Sequence, residues 1–217
     1  MDQHIESEHA AKMLSIEEEG IKNIQEKFRC KITVLRRAFY EDLYSQAPYG
    51  AASACGRLKE GQVFRAIDLT EGMMSRAKQR LKKQGLLDRV DFRIADAGRL
   101  PFPDSSFNVV YNAYMFDLID ISEFSVILSE FRRVLKRGGK LVLVNMSKNR
   151  NTKTLYEWLY EKSLLNFASG SCRPVLLQSF IEEAGFQAVT RTYRKNYSWF
   201  FLNWLTGTEI VIGKKAV

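Results

Sequence analysis

The sequence predicts an α/β fold, with a doubly wound sheet that is mostly parallel and ends in an antiparallel strand. Short apolar stretches typical of strands alternate with amphipathic stretches typical of helices between residues 63 and 213. This alternation is expected of a sheet that carries helices on both faces. Apolar residues make up 46% of the chain, which is enough to form a core. Asp68 and Asp96 directly follow two of the predicted strands.

Length and cysteine content indicate one domain in a reducing compartment. The 217 residues divide into a predicted N-terminal helical segment, residues 1–29, and a main domain, residues 30–217, in which residues 30–66 are atypical. Cys30, Cys55 and Cys172 have no paired spacing, which argues against a disulfide framework or a zinc site. No apolar run reaches the roughly 18 residues that span a bilayer. We therefore expect a cytoplasmic protein with no metal site and no transmembrane segment.

The charge of the chain permits an acidic partner but does not identify one. The formal net charge is +8, which is compatible with RNA, a nucleotide or an anionic membrane surface. The basic residues are spread over several predicted helices and are interpreted as solvated faces and as charges near helix C-termini. A small-molecule acceptor is favoured over a nucleic acid, and peripheral membrane contact stays open.

The most informative stretch of the sequence is Val63 to Asp96, which predicts two strands joined by a helix. Its first predicted strand ends at Asp68, a helix runs from Thr70 to Gly85, and a second strand ends at Asp96. Thr70 suits the N-cap position, where a hydroxyl oxygen accepts from the first turn. Acids at the carboxyl ends of neighbouring parallel strands lie where an α/β sheet binds nucleosides.

The elements after Asp96 follow from apolar periodicity. The clearest is a helix from Asp120 to Lys136, which Asp120 and Glu123 would open as a capping box and Gly138-Gly139 would end. The other predicted strands are residues 107–111, 140–146, 188–193 and 209–213, and the other predicted helices are residues 154–167 and 176–184.

Four motifs in this order resemble the class I S-adenosylmethionine-dependent methyltransferases. They are Ile67-Asp68-Leu69-Thr70-Glu71-Gly72-Met73, then Ala95-Asp96-Ala97 with Leu100-Pro101-Phe102, then residues 104–110, and last residues 131–139. The chain looks closest to the ubiquinone and menaquinone biosynthesis methyltransferases from about Gly61 to Lys215. The resemblance implies a Rossmann-like sheet and S-adenosylmethionine as the cofactor.

The resemblance also implies roles for individual residues. Asp68 would accept from the ribose hydroxyls, and Met73 would lie against the adenine. Asp96 would accept from the adenine amino group beside the Ala97 N–H, and Asn112 would hold the methionine portion or the acceptor. Each has a structural alternative: a helix N-terminal charge for Asp68, a core methionine for Met73, and turn residues for Asp96 and Asn112.

The upstream part of the cofactor motif is not recognisable. A glycine-rich turn is expected about 20 residues before the ribose-binding acid, near Pro48-Tyr49-Gly50, but no G-x-G-x-G occurs there. Ile32-Thr33-Val34-Leu35 is a candidate short strand, and Arg65 would be a costly charge inside a buried strand. Two hypotheses remain: a divergent loop, or a local reading-frame disturbance in the coding sequence.

The motifs identify no catalytic residue. A base, if one is needed, would come from Asp117, from Tyr114 or from a residue that the sequence does not identify. Tyr114 and Asp117 follow the strand that ends near Asn112, and the alternative for each is a plain loop residue. Arg173 is a candidate for an acidic acceptor, or for a structural salt bridge. The expected reaction is methyl transfer to a small quinone-like or lipid-like acceptor. The alternatives are an RNA methyltransferase and a catalytically silent binding module. The aromatic residues 197–205 would line the acceptor pocket or touch a membrane surface, and the alternative, which is the commoner case, is that they form core between the last two strands.

Overall fold

The computed structural model describes residues 64–148, 173–195 and 207–217, together with the backbone of Ile32–Leu35. Within them a seven-stranded sheet has the order β3-β2-β1-β4-β5-β7-β6. The strands are β1 Ile32–Leu35, β2 Phe64–Asp68, β3 Val90–Ile94, β4 Phe107–Ala113, β5 Leu135–Ser147, β6 Phe186–Lys195 and β7 Gly207–Lys215. The α-helices are α1 Glu71–Lys83, α2 Phe124–Val134 and α3 Gln178–Glu183. No helix in this part of the chain is long and apolar enough to cross a membrane.

The strand directions confirm the predicted fold class. Strand β1 lies between β2 and β4 and is parallel to both, with Leu35 opposite Ile67 on one side and Asn112 on the other. Strands β3 and β5 extend this parallel arrangement. Strand β7 is antiparallel to both β5 and β6. The predicted short strand Ile32–Leu35 is therefore confirmed, and it is a central strand of the sheet.

Helices cover both faces of the sheet. The predicted apolar stripe of α2 packs with Val110, Leu141 and Leu143 in one buried cluster. On the other face, Leu81 of α1 packs in a second buried cluster, with Tyr111. The α2 residues buried in the first cluster are Phe124, Ile127, Leu128, Phe131 and Val134.

The boundary between α2 and β5 differs from the prediction. A 3-10 turn, Ile121–Glu123, precedes α2. The Asp120 carboxylate accepts from the Ser122 N–H, whereas a capping box would have it accept from the N–H of Glu123. The helix ends at Val134, before the glycine pair, because Leu135 pairs with Phe107 as the first residue of β5. The next paired residues are Lys140 and Val109, so a bulge separates the two pairs.

The sequence suggested that Arg65 lies inside a fully buried strand, but its position is only partly buried. Its side chain is 37% exposed, and its Nε lies 3.6 Å from Oδ2 of Asp91 on the neighbouring strand. The guanidinium also lies 5.3 Å from the ring centre of Phe102 and 5.8 Å from that of Phe107. The charge is thus partly solvated, paired and stacked on aromatic rings.

The predicted helices of residues 1–29 and 154–167, and the aromatic residues 197–205, lie outside the described residues. The helix predicted for residues 176–184 is confirmed in its central part as α3. Gly185, which follows this helix, has a φ of +81°, a left-handed conformation that glycine adopts without strain.

Candidate cofactor site

The fold brings Asp68 and Asp96 to the same edge of the sheet. Asp68 is the last residue of β2 and lies opposite Ile94, the last residue of β3. The Ala95 N–H donates to the Asp68 carbonyl oxygen at 3.1 Å. Asp96 is the next residue after Ala95. Two carboxylates therefore follow adjacent parallel strands at their carboxyl ends, where open α/β sheets bind ligands.

The Asp68 carboxylate is held in place by Thr70. Asp68 is 7% exposed. Its Oδ1 accepts from the Thr70 backbone N–H at 2.8 Å and from the Thr70 hydroxyl at 2.6 Å. Thr70 occupies the N-cap position of α1, as predicted, but its hydroxyl donates to Asp68 and makes no cap bond to the helix.

Asp96 lies on an exposed turn that is fixed from beneath. Its Oδ1 accepts from the Gly98 N–H at 2.8 Å, and its carboxylate is exposed. The next residue, Ala97, is 8% exposed and packs in the cluster that contains α2. The backbone is thus anchored while the carboxylate faces solvent.

An anchored loop, residues 100–104, follows this turn, and sequence reasoning missed its anchor. The Leu100 N–H donates to Oε2 of Glu130 at 2.9 Å. Arg133 donates to the carbonyl oxygens of Leu100 at 3.1 Å and Phe102 at 2.9 Å. The hydrogen bond from Arg133 holds the pKa of Glu130 below its usual range, against the effect of burial. Both side chains belong to α2, so the helix fixes the loop.

Asn112 and Met73 are placed differently by the fold. Asn112 is fully buried within β4, one residue before the strand ends, and its Nδ2 lies 3.5 Å from Sδ of Met115. It is also the β4 residue opposite Leu35, where β1 ends. Met73 is in the first turn of α1, directly after β2, and its side chain lies outside the described part.

The residues proposed for the acceptor follow β4. Tyr114 has a φ of +53°, and its N–H donates to the Val144 carbonyl oxygen at 2.7 Å. Asp117 is 3% exposed, and its carbonyl oxygen accepts from the Arg173 N–H at 2.9 Å. Arg173 also donates to the Ile119 carbonyl oxygen. Within the described residues, Arg173 therefore ties its own segment to the loop after β4 and forms no salt bridge.

The sequence after β1 differs from a glycine-rich turn. Strand β1 ends at Leu35, directly between the strands that carry Asp68 and Asn112. The sequence from Arg36 to Tyr49 contains no glycine. Residues 36–63 lie outside the described part.

The donors and acceptors of this edge fit the adenosine portion of a nucleoside cofactor. Ribose hydroxyls and an adenine amino group are hydrogen-bond donors, and Asp68 and Asp96 supply carboxylate acceptors. In the described ranges no cluster of three or more His, Cys, Asp or Glu residues forms a metal site.

Part of the chain is similar in sequence to known methyltransferases. A family model described as a methyltransferase domain matches residues 49–143. The ubiquinone/menaquinone biosynthesis C-methyltransferase UbiE of Teredinibacter turnerae is 37% identical over 93 residues, 43% of this chain and 36% of that protein. The demethylmenaquinone methyltransferase of Bacteroides fragilis is 34% identical over 97 residues, 45% of this chain and 38% of that protein. The chain thus spans little more than one third of the length of these relatives.

A solved structure shares the fold at low sequence identity. Geranyl diphosphate methyltransferase in complex with S-adenosylmethionine has a TM-score of 0.66 and 12% identity, covering 94% of this chain and 85% of that one. At this identity the likeness shows the fold alone. Residues 49–143 thus match the model of a methyltransferase domain, and this part of the chain is similar in sequence to the ubiquinone and menaquinone biosynthesis methyltransferases.

Proposed function

We propose that this chain transfers a methyl group from S-adenosylmethionine to a carbon of a small quinol-like acceptor. The pairing of Asp68 and Asp96 on adjacent strands of the matched domain carries this proposal. The acceptor class follows from two similar proteins, whose names describe C-methylation in ubiquinone and menaquinone biosynthesis and methylation of demethylmenaquinone.

The chain's own residues would bind and orient the cofactor. Asp68, held by Thr70, would accept from the ribose hydroxyls, and Asp96 from the adenine amino group beside the Ala97 N–H. Met73 would contact the adenine and Asn112 the methionine portion or the acceptor. Bound S-adenosylmethionine supplies an electrophilic methyl group, so the protein mainly positions the acceptor and excludes water.

Carbon methylation of such a ring requires the reduced, hydroquinone form. The oxidised quinone is electron-poor, whereas the hydroquinone carries electron-donating hydroxyl groups that make the ring carbon nucleophilic. The ring loses one proton when the new carbon–carbon bond has formed, and that proton needs an acceptor. Tyr114 and Asp117, directly after β4, are the residues we propose for this role.

One observation favours a second candidate, a methyltransferase-like module that transfers no methyl group. The sequence between β1 and Gly50 lacks the glycines that would let the backbone approach the methionine end of the cofactor. An RNA acceptor is not favoured by the described residues. A cluster of exposed basic side chains (Arg132, Lys136, Arg137 and Lys214) lies at the amino ends of the parallel strands, opposite the candidate site.

A methyl-transfer assay tests the proposal. The full chain is incubated with S-adenosylmethionine and demethylmenaquinol, demethylmenaquinone, total RNA or no acceptor, and release of S-adenosylhomocysteine is measured. We expect release only with the reduced quinol, together with methylated quinol detected by mass spectrometry. Release with RNA would favour an RNA methyltransferase. A folded protein that releases nothing with any acceptor would favour the silent module.

A further inference from the structure

A segment that begins just before the predicted helix of residues 176–184 crosses the carboxyl edge of the sheet. This crossing segment, residues 173–177, precedes α3. The N–H groups of its first, third and fifth residues donate to the Asp117 carbonyl oxygen at 2.9 Å, the Met146 carbonyl oxygen at 3.1 Å and Oε1 of Glu209 at 3.0 Å. The segment therefore runs from the loop after β4, past β5, to β7.

The charged side chains beneath the crossing segment are paired with one another. Glu209 is fully buried, and its Oε2 accepts from Nε of Arg191 at 2.5 Å. Arg191 also donates to Oγ of Ser147 at 3.1 Å and to the Lys148 carbonyl oxygen at 2.8 Å. The Ser147 hydroxyl donates to the Val175 carbonyl oxygen at 2.7 Å. This buried cluster is thus neutral in sum and richly hydrogen-bonded.

Asn145 is the exception in this cluster. It is fully buried, and in the part of the chain that the structure describes neither its Oδ1 nor its Nδ2 has a hydrogen-bond partner. It lies opposite Glu209 in the β5–β7 pairing, two residues from Ser147 and on the same face. A buried amide that forms no hydrogen bond is rare and unfavourable, and such groups often have a functional explanation.

The position of Asn145 relates it to the candidate site. Val144 lies opposite Ala113, the last residue of β4, so Asn145 is level with the residue after β4 ends. Asn112 and Asn145 lie on the same face of adjacent strands, because each is two residues beyond a member of the same core cluster, Val110 and Leu143. Asn145 therefore lies beside the loop that carries the acceptor candidates.

We propose that Asn145 binds a neutral oxygen of the acceptor, such as a ring hydroxyl of a hydroquinone. An amide offers both a donor and an acceptor, which matches the two capacities of a hydroxyl group. Glu209 and Arg191, the charged side chains of this cluster, are already paired with each other, so an acceptor carboxylate would add an unbalanced buried charge, whereas a hydroxyl would not. This inference rests on the proposed function and names the group of the acceptor that the protein recognises.

The test compares Asn145→Leu with Ser147→Ala, a hydroxyl on the same face whose bonds are made inside the chain. The measurements are the ligand-free thermal midpoint, the dissociation constant for S-adenosylmethionine, and kcat/KM for demethylmenaquinol with one prenyl unit. Asn145→Leu should keep or raise the midpoint, leave the cofactor constant within about twofold, and lower kcat/KM about 10- to 100-fold. Ser147→Ala should lower the midpoint by about 2–6 °C.

Other results overturn the inference. If Asn145→Leu lowers the midpoint as much as Ser147→Ala, the amide has a partner within the chain. If stability and kinetics are both unchanged, the amide is tolerated or hydrated and contacts no acceptor. If wild type binds the quinol in equilibrium dialysis without turnover and Asn145→Leu loses that binding, the inference survives while the proposed function fails. If wild type neither binds nor methylates the quinol, both fail.

Discussion

Replacing Arg133 by methionine should release the anchored loop, residues 100–104, from α2. The guanidinium donates to the carbonyl oxygens of Leu100 and Phe102, to Oδ1 of Asp104 at 2.7 Å, and to both carboxylate oxygens of Glu130 at 2.8 and 2.9 Å. Methionine retains an apolar stem but donates no hydrogen bond. Asp96 and Ala97 lie just before this loop, so cofactor affinity should weaken along with stability.

The size of the effect follows from the exposure of the partners. Each lost bond to a loop carbonyl contributes about 0.5–1.5 kcal/mol net. Asp104 is 75% exposed and its pair with Arg133 contributes little, whereas Glu130 is only 19% exposed. We therefore expect Arg133→Met to lower the free energy of unfolding by about 2–3 kcal/mol, which lowers the midpoint by about 5–10 °C in a domain of this size.

Thermal and urea unfolding followed by circular dichroism measure this change, with Arg132→Met as the matched control. Arg132 is the preceding residue of α2 and is exposed, so its variant should remain within about 0.5 kcal/mol of wild type. If the two variants unfold at the same temperature and urea concentration, Arg133 does not anchor the loop and the reasoning is refuted.

Two further predictions concern acid stability and close packing. The pKa of Glu130 is lowered in the folded state, so its stabilising contribution is present above its usual pKa of about 4.3 and is lost as the pH falls through the folded value. Urea unfolding of the wild type from pH 6 to pH 3 should show this loss of stability. The same series on Arg133→Met should show a much smaller loss. A Cβ on Gly213 would lie 2.9 Å from Cγ2 of Ile181 and 3.0 Å from Cβ of Phe186. Gly213→Ala should therefore lower the free energy of unfolding by about 1–3 kcal/mol in urea, and an unchanged midpoint would show that α3 moves away freely.

The sequence is sufficient where the signal is local. An apolar strand that stops at an acid predicts β2 with Asp68 and β3 with Asp96, because both features fall within a few adjacent residues. The strand Ile32–Leu35 is also predicted from adjacent residues, because the β-branched Ile32, Thr33 and Val34 favour sheet structure. The antiparallel end of the sheet follows from the order of the last helix and strands.

Contacts between distant residues limit the rest. The hydroxyl of Thr70 can accept or donate, and the carboxylate two residues earlier decides that it donates. The end of α2 depends on Leu135 pairing with Phe107, which helix periodicity does not show. Likewise, the sequence indicates only that Arg133 is a basic residue near a helix C-terminus. The structure shows that it contacts the carbonyl oxygens of Leu100 and Phe102. In the sequence, Asn145 is one residue of an apolar strand. Only the structure shows that its side chain is buried without a hydrogen-bond partner among the described residues.

Titration of the full chain with S-adenosylmethionine by isothermal calorimetry tests the central claim most directly. Asp68→Asn removes the charge from the proposed ribose ligand, whereas Asp88→Asn removes an exposed charge from the turn before β3, at the opposite edge of the sheet. We predict that wild type and Asp88→Asn bind with the same affinity and that Asp68→Asn binds about 10- to 100-fold more weakly. Folded wild-type protein that shows no binding, or equal affinity in all three proteins, would contradict this account of the site.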